Sequence, residues 1–258
     1  MIEGKPIAGT GDLTGFGSRL GTARRRLAGA QKSTASVPAY LRFVNRRAGG
    51  WLAVLAFALG LTPTGVTVLS GLSSFAGIAV LLLARPTVPI GVLVAVLLLL
   101  GYALDSADGQ LARVRGGGSK SGEWLDHVVD VAKLTSLHLA VAVSVLRFFE
   151  VSWWALALPF GFCIANITQF FGMMLRDQLL GSAIKGSVIK GGAGSGLLTS
   201  LLLLPLDHGT LGLAFVLLGW HRAFLWAYAL LALCTALFAA RSLSRAYRSL
   251  LALDRQPG

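Results

Sequence analysis

The sequence predicts an all-α membrane protein with six transmembrane helices preceded by an interfacial amphipathic helix. Composition and pattern both point there. Of 258 residues, 55% are hydrophobic and 13% charged, with a mean hydropathy of +0.71, which excludes an ordinary soluble domain. The apolar residues gather into runs of the length a bilayer requires, about 20 helical residues each. Neither strand-like alternation nor an internal repeat is visible.

Taken in order, residues 1–35 read as a basic flexible N-terminal tail. They are rich in Gly, Ser, Thr and Arg, include the run Arg24-Arg25-Arg26, and lack the apolar stretch of a signal peptide. Residues 36–61 mix Tyr40, Phe43, Trp51 and several Leu with Arg42, Arg46 and Arg47, a composition suited to a helix lying in the interface. The Thr62-Pro63-Thr64 step ends that helix, because proline disfavours helix in the residue before it. Residues 62–245 then form one six-helix transmembrane domain, with spans at 64–84, 89–112, 121–146, 151–175, 194–219 and 222–240. The fifth is interrupted by Pro205, Asp207, His208 and Gly209, which predicts a kinked helix or a shorter helix followed by a loop. Residues 246–258 form a C-terminal tail.

Loop charge orients the bundle, because Lys and Arg concentrate on the cytoplasmic side. With the N-terminus inside, nineteen basic residues fall on the inner side and only Arg85, Arg147 and Arg222 on the outer. Both termini, and the ends where spans two and three meet, are therefore expected at the cytoplasmic face of the cell's inner membrane. The net charge of +12 suits anionic lipid rather than nucleic acid, for which no motif or aromatic interleaving is present. Cys163 and Cys234 lie inside apolar segments and read as small buried hydrophobes.

The acidic residues are distributed unevenly. Five of eleven (Asp105, Asp108, Glu123, Asp126 and Asp130) crowd into the end of span two and the start of span three. Facing lipid, each would cost roughly 3 kcal/mol near a span centre, or about 10 kcal/mol for the four aspartates, so they are expected to face the bundle interior. Asp105 and Asp108 are three apart, and Asp126 and Asp130 four apart, which puts each pair on one helix face. Gly109 and Ala112 share the face of Asp105, and Gly122 lies one turn before Asp126, leaving room for a ligand. A tight Gly116-Gly117-Gly118 turn makes the two spans antiparallel neighbours and brings the pairs opposite each other. Such an oxygen-rich set suits Mg²⁺ or Mn²⁺ rather than zinc, since no Cys accompanies it and His127 is expected to face another side.

The pattern Asp105-x-x-Asp108-Gly109-x-x-Ala112-Arg113, eight residues, then Gly122-x-x-x-Asp126-x-x-x-Asp130 resembles the signature of the CDP-alcohol phosphotransferases at all eight specified positions. The resemblance implies a homodimeric six-helix enzyme with a metal-bearing cavity open to the cytoplasm and laterally to lipid. It implies that Asp105, Asp108 and Asp126 hold metal, and that Asp130 touches a second ion and serves as general base. Gly109, Ala112, Arg113 and Gly122 match positions associated with CDP binding. The implied reaction moves a phosphatidyl group from CDP-diacylglycerol to an alcohol or phosphorylated alcohol, with release of CMP. A lipid donor accounts for a site placed in the membrane, since a soluble donor would not need one. A related branch, moving a phospho-alcohol from a CDP-alcohol to diacylglycerol, carries the same motif and stays open.

Several residues carry blander readings. Arg176, Lys185 and Lys190 offer charge for a phosphorylated acceptor, yet inner loops carry such residues anyway. Leu175-Arg176-Asp177-Gln178 departs from the Arg-Ala-Glu-like element of family members that make phosphatidylinositol phosphate or phosphatidylglycerol phosphate. Lys133, one turn beyond Asp130, either tunes that carboxylate or makes a structural ion pair. His138, His208 and His221 read as satisfied or interfacial, and Trp153, Trp154, Trp220 and Trp226 as an aromatic belt. Glu123 falls outside the pattern and is expected at the surface or behind the ligands. Two other classes bury carboxylates: an intramembrane prenyltransferase, which would have more spans and widely separated motifs, and a cation transporter, which gives no reason for Arg113 and the small residues.

Overall fold

The computed structural model describes residues 15–29, 37–181 and 197–254. Helix accounts for nearly all of them, and no strand occurs among the described residues. In chain order the elements are α1 (Phe16–Gly29), a π-helical turn (Leu41–Asn45), α2 (Arg46–Ala58), α3 (Pro63–Leu83), α4 (Val88–Val114), α5 (Lys120–Phe148) and α6 (Ala157–Leu179). After these come α7 (Leu197–Leu202), α8 (His208–Ala214) and α9 (His221–Asp254).

Among the described residues, five helices are long and apolar enough to cross a membrane: α3, α4, α5, α6 with its preceding 3₁₀ turn, and α9. The fifth expected span, 194–219, is broken instead. Its described part runs through α7, a 3₁₀ turn at Leu204–Leu206, α8 and a second 3₁₀ turn at Phe215–Gly219; residues 194–196 lie outside the described residues. The break follows from the residues already suspect. Asp207 caps α8 by accepting from the Gly209 backbone N–H at 2.8 Å, and its other oxygen accepts from the Leu41 N–H at 2.9 Å. A buried carboxylate (3% exposed) thus fixes the break and ties it to the juxtamembrane segment.

The other ends follow local chemistry too. Helix α2 stops at Gly60, whose φ of +79° allows the Leu61 N–H to reach back to the Ala56 carbonyl at 2.9 Å, a left-handed helix stop that glycine adopts without strain. The Thr62 hydroxyl then caps α3 at the Gly65 N–H, 3.0 Å, with Pro63 in the first turn, so the Thr-Pro step opens the next helix. Gly116 and Gly117, at φ of +98° and +137°, turn the chain between α4 and α5, and Ser119 caps α5 at the Gly122 N–H, 3.0 Å.

Part of the segment expected as a flexible tail is helical. On α1, Leu20, Ala23 and Leu27 fall at helical spacing and pack with Val54, Phe57 and Val114, and Arg19 donates to the Ala58 carbonyl at 3.1 Å. The C-terminal tail placed from 246 begins as a continuation of α9, to Asp254.

The largest core cluster joins α3, α4, α5, α8 and α9 around Val94, Val141, Phe215, Phe224 and Tyr228. His138 is fully buried within it, hydrogen-bonded to the Tyr228 hydroxyl at 2.5 Å and to Asn166 Nδ2 at 2.8 Å, a satisfied histidine as expected. Small residues let α3 and α4 approach closely. The Ser70 hydroxyl donates to the Gly101 carbonyl at 2.9 Å, Ser73 to the Leu97 carbonyl at 2.8 Å, and a Cβ at Gly101 would meet Ser74 Oγ. Trp153, Trp154, Trp220 and Trp226 are all exposed, consistent with a belt. Cys163 is buried and Cys234 half-buried, both as free thiols.

Candidate active site

Helix α3 packs against both α4 and α5, whereas α4 and α5 barely touch each other. The tight glycine turn does return the chain, as expected, but the two helices diverge from it. Their carboxylates therefore face each other across a gap instead of a packed seam. Asp108 and Asp126 meet across that gap, as do Asp105 and Asp130 one turn deeper in the bundle. Asp105 is also close enough to act on Asp126 electrostatically. The four aspartates read from the sequence thus converge on one place.

Asp108 is held by α3, and Asp105 and Asp130 share one partner. Asp108, 5% exposed, accepts from the Thr67 hydroxyl of α3 at 2.6 Å. Lys133 bridges the two helices: its Nζ lies 2.6 Å from Asp105 Oδ1 and 2.8 Å from Asp130 Oδ1, and it reaches Ser70 Oγ at 3.3 Å. The sequence suggested a link between Lys133 and Asp130, but not the one to Asp105, because spacing along one helix says nothing about the opposite one. Thr67 and Ser70 were missed for the same reason. Only the register of α3 against α4 reveals them.

Gly109 lies on the face of Arg113, and a Cβ there would meet Arg113 Nη1 at 3.5 Å. At Gly122 a Cβ would meet the Ser119 capping hydroxyl at 3.0 Å, so this glycine also serves the helix start. Arg113 lies close enough to Arg46 of α2 for the two charges to repel. Glu123 is exposed on α5, in keeping with a surface role.

The expected orientation of His127 is corrected. An imidazole nitrogen of His127 and carboxylate oxygens of Asp126 and Asp130 lie within 4.8 Å of one another. Successive helix positions differ by about 100°, which argued for a separate side, yet the long imidazole swings into the groove, its ring set 5.9 Å from that of Phe170. One argument against zinc thereby falls, while the majority of carboxylate oxygens still favours a hard divalent cation. Among the described residues, Asp126 Oδ1 and His127 Nδ1 are buried without a hydrogen-bond partner. Buried polar atoms are rarely left so, and a cation is the partner this donor set fits.

A cavity of about 120 Å³ extends from Asp105, Asp130 and Lys133 into the bundle. Tyr102 and His208 add polar edges, and Ile78, Leu98 and Leu137 make the deeper wall apolar.

The described residues thus define a helical membrane protein with a polar, carboxylate-rich cleft between two of its spans. The chain belongs to the CDP-alcohol phosphatidyltransferase family, whose model matches residues 60–240. Among solved structures, it resembles the Mycobacterium tuberculosis phosphatidylinositol phosphate synthase (PgsA1) with CDP-DAG bound. That likeness has a TM-score of 0.52 and 18% sequence identity, covering 79% of this chain and 94% of that one, and it speaks to the fold. A search of curated proteins returns no match.

Proposed function

We propose that the protein transfers a phosphatidyl group from CDP-diacylglycerol to an alcohol or phosphorylated alcohol and releases CMP, at a site formed by Asp105, Asp108, Asp126 and Asp130. The observation that carries this reading is the convergence of four carboxylates from α4 and α5, one of which, Asp126, has a buried oxygen with no hydrogen-bond partner among the described residues. Family membership and the CDP-DAG-bound structural neighbour support the choice of donor.

Divalent ions, Mg²⁺ or Mn²⁺ and two in number, held by the four aspartates would supply neutralisation of the donor's pyrophosphate. The remaining work falls to side chains of this chain. Arg113 offers a fixed guanidinium to a donor phosphate, and Gly109 and Ala112 leave the backbone open beside it. Gly122 keeps the start of α5 slim enough for the nucleotide. Asp130 takes the proton of the acceptor hydroxyl. The hydroxyl oxygen bonds to the phosphorus bearing the diacylglycerol, and that phosphorus breaks its bond to the bridging oxygen, which leaves with CMP. Lys133 keeps the Asp130 carboxylate turned toward the gap. The enzyme works as a homodimer with the site and both termini at the cytoplasmic face, the arrangement that loop charge and the family pattern support.

The test is CMP release from CDP-diacylglycerol by purified protein with Mg²⁺ or Mn²⁺ and a panel of alcohols and phosphorylated alcohols. Release that Asp130→Asn reduces by at least about 100-fold is expected, the lower range for a lost acid–base group. Release equal to wild type in Asp130→Asn would remove the base assignment. No release with any alcohol, together with turnover of a CDP-alcohol and diacylglycerol, would reverse donor and acceptor.

A further inference from the structure

A second cavity, of about 400 Å³, lies outside the carboxylate site, between α1 and the start of α2. Among the described residues, its lining carries four guanidiniums, Arg24, Arg42, Arg46 and Arg47, and no carboxylate. Nor does any acidic residue occur between positions 15 and 60 of the sequence. Four like charges collected in one groove repel one another, and the fold nevertheless keeps them there. Arg19 pins α1 to the end of α2 through the Ala58 carbonyl, and the Arg24 guanidinium sits 4.7 Å from the ring centre of Trp51. Gln110 of α4 donates to the Arg46 carbonyl at 3.1 Å, so the groove is fastened to the helix that carries the motif.

The rim is as informative as the lining. Trp51, which lines the groove, and Leu55, one turn further along α2, are exposed apolar side chains, which suits a surface at the membrane boundary, where amphipathic helices meet lipid headgroups. A groove with arginines inside and apolar residues at its edge matches a molecule with a phosphate and a hydrocarbon end.

We infer that the groove between α1 and α2 binds the headgroup phosphate of an anionic phospholipid, at a site separate from the carboxylate cleft. Arg24 and Arg47, both exposed, reach toward the phosphate from opposite helices. Arg46 connects the groove to Arg113, which it faces at repulsive range; a bound phosphate offsets that repulsion. The inference does not depend on which reaction the carboxylate cleft performs.

The experiment titrates the full chain in detergent with short-chain phosphatidic acid and follows the fluorescence of Trp51, isolated by subtracting a Trp51→Phe variant. Saturable binding is expected for wild type, with no response to short-chain phosphatidylcholine. Affinity should fall at least about tenfold in Arg24→Gln/Arg47→Gln, which removes two charge-assisted contacts. It should stay unchanged in Arg25→Gln/Arg26→Gln, which removes equal charge from exposed positions outside the groove. Equal loss in both double variants would reduce the effect to net charge and overturn the site. So would unaltered affinity in Arg24→Gln/Arg47→Gln with thermal unfolding unchanged. Displacement of the lipid by inorganic phosphate at matching concentration would overturn its assignment as a lipid site.

Discussion

Replacing Lys133 by Met isolates the electrostatic logic of the cleft. The ammonium lies within 2.8 Å of one oxygen each from Asp105 and Asp130, so its loss leaves two carboxylates facing each other without a counter-charge. Removing one partner of a buried pair costs about 3–5 kcal/mol. The Asp105 and Asp130 side chains keep 22% and 29% of their exposure, so about 3 kcal/mol is the appropriate figure. For a chain of this size that corresponds to a Tm about 6–12 °C lower. Divalent cations held by the same carboxylates would supply the missing positive charge. Thermal unfolding of Lys133→Met and wild type, measured in EDTA and again in excess Mg²⁺, should show the full drop in EDTA and a much smaller one in Mg²⁺. An equal drop in both would mean that the carboxylates do not take up the ion, and would refute the reasoning.

Three further outcomes follow from contacts around the site. Thr67→Val removes the 2.6 Å hydrogen bond that orients Asp108, and should weaken the Mg²⁺ dependence of CMP release by about 10- to 100-fold with the fold intact by circular dichroism. Gly101→Ala forces a methyl against Ser74 Oγ and the Ser70 carbonyl; an overpacking cost of about 1–3 kcal/mol should appear as a lower Tm. Asp207→Ala removes the acceptor for the Gly209 and Leu41 N–H groups, costing about 1–2 kcal/mol per the usual cap, and should increase proteolysis near residue 207.

The sequence carried the spans with uninterrupted apolar runs: 64–84 corresponds to Pro63–Leu83, 89–112 to Val88–Val114 and 121–146 to Lys120–Phe148. A single property, continuous hydropathy, settles such helices. The fifth run contains the same apolar residues, but Asp207 needs backbone donors that a continuous helix would not release, so the chain breaks there. Helix α1 escaped notice because Leu20, Ala23 and Leu27 form too short a stripe among charged and small residues, and only the partner surface of α2 and α4 gives it meaning. In the site, the aspartates were legible because carboxylates within apolar spans are costly and their spacing fixes a face. Thr67, Ser70 and the second link of Lys133 depend on which helices are neighbours, and α3 rather than α5 turned out to be the close neighbour of α4. His127 depended on a side-chain direction that helical spacing alone does not determine.

The claim beneath the proposed chemistry is that α4 and α5 share metal. Crystals grown with Mn²⁺ and measured at an energy where manganese scatters anomalously would test it directly. The account predicts anomalous density in the gap, touched by Asp105 or Asp108 from one helix and by Asp126 or Asp130 from the other. Density contacting one helix alone, or none among the four aspartates, would contradict it.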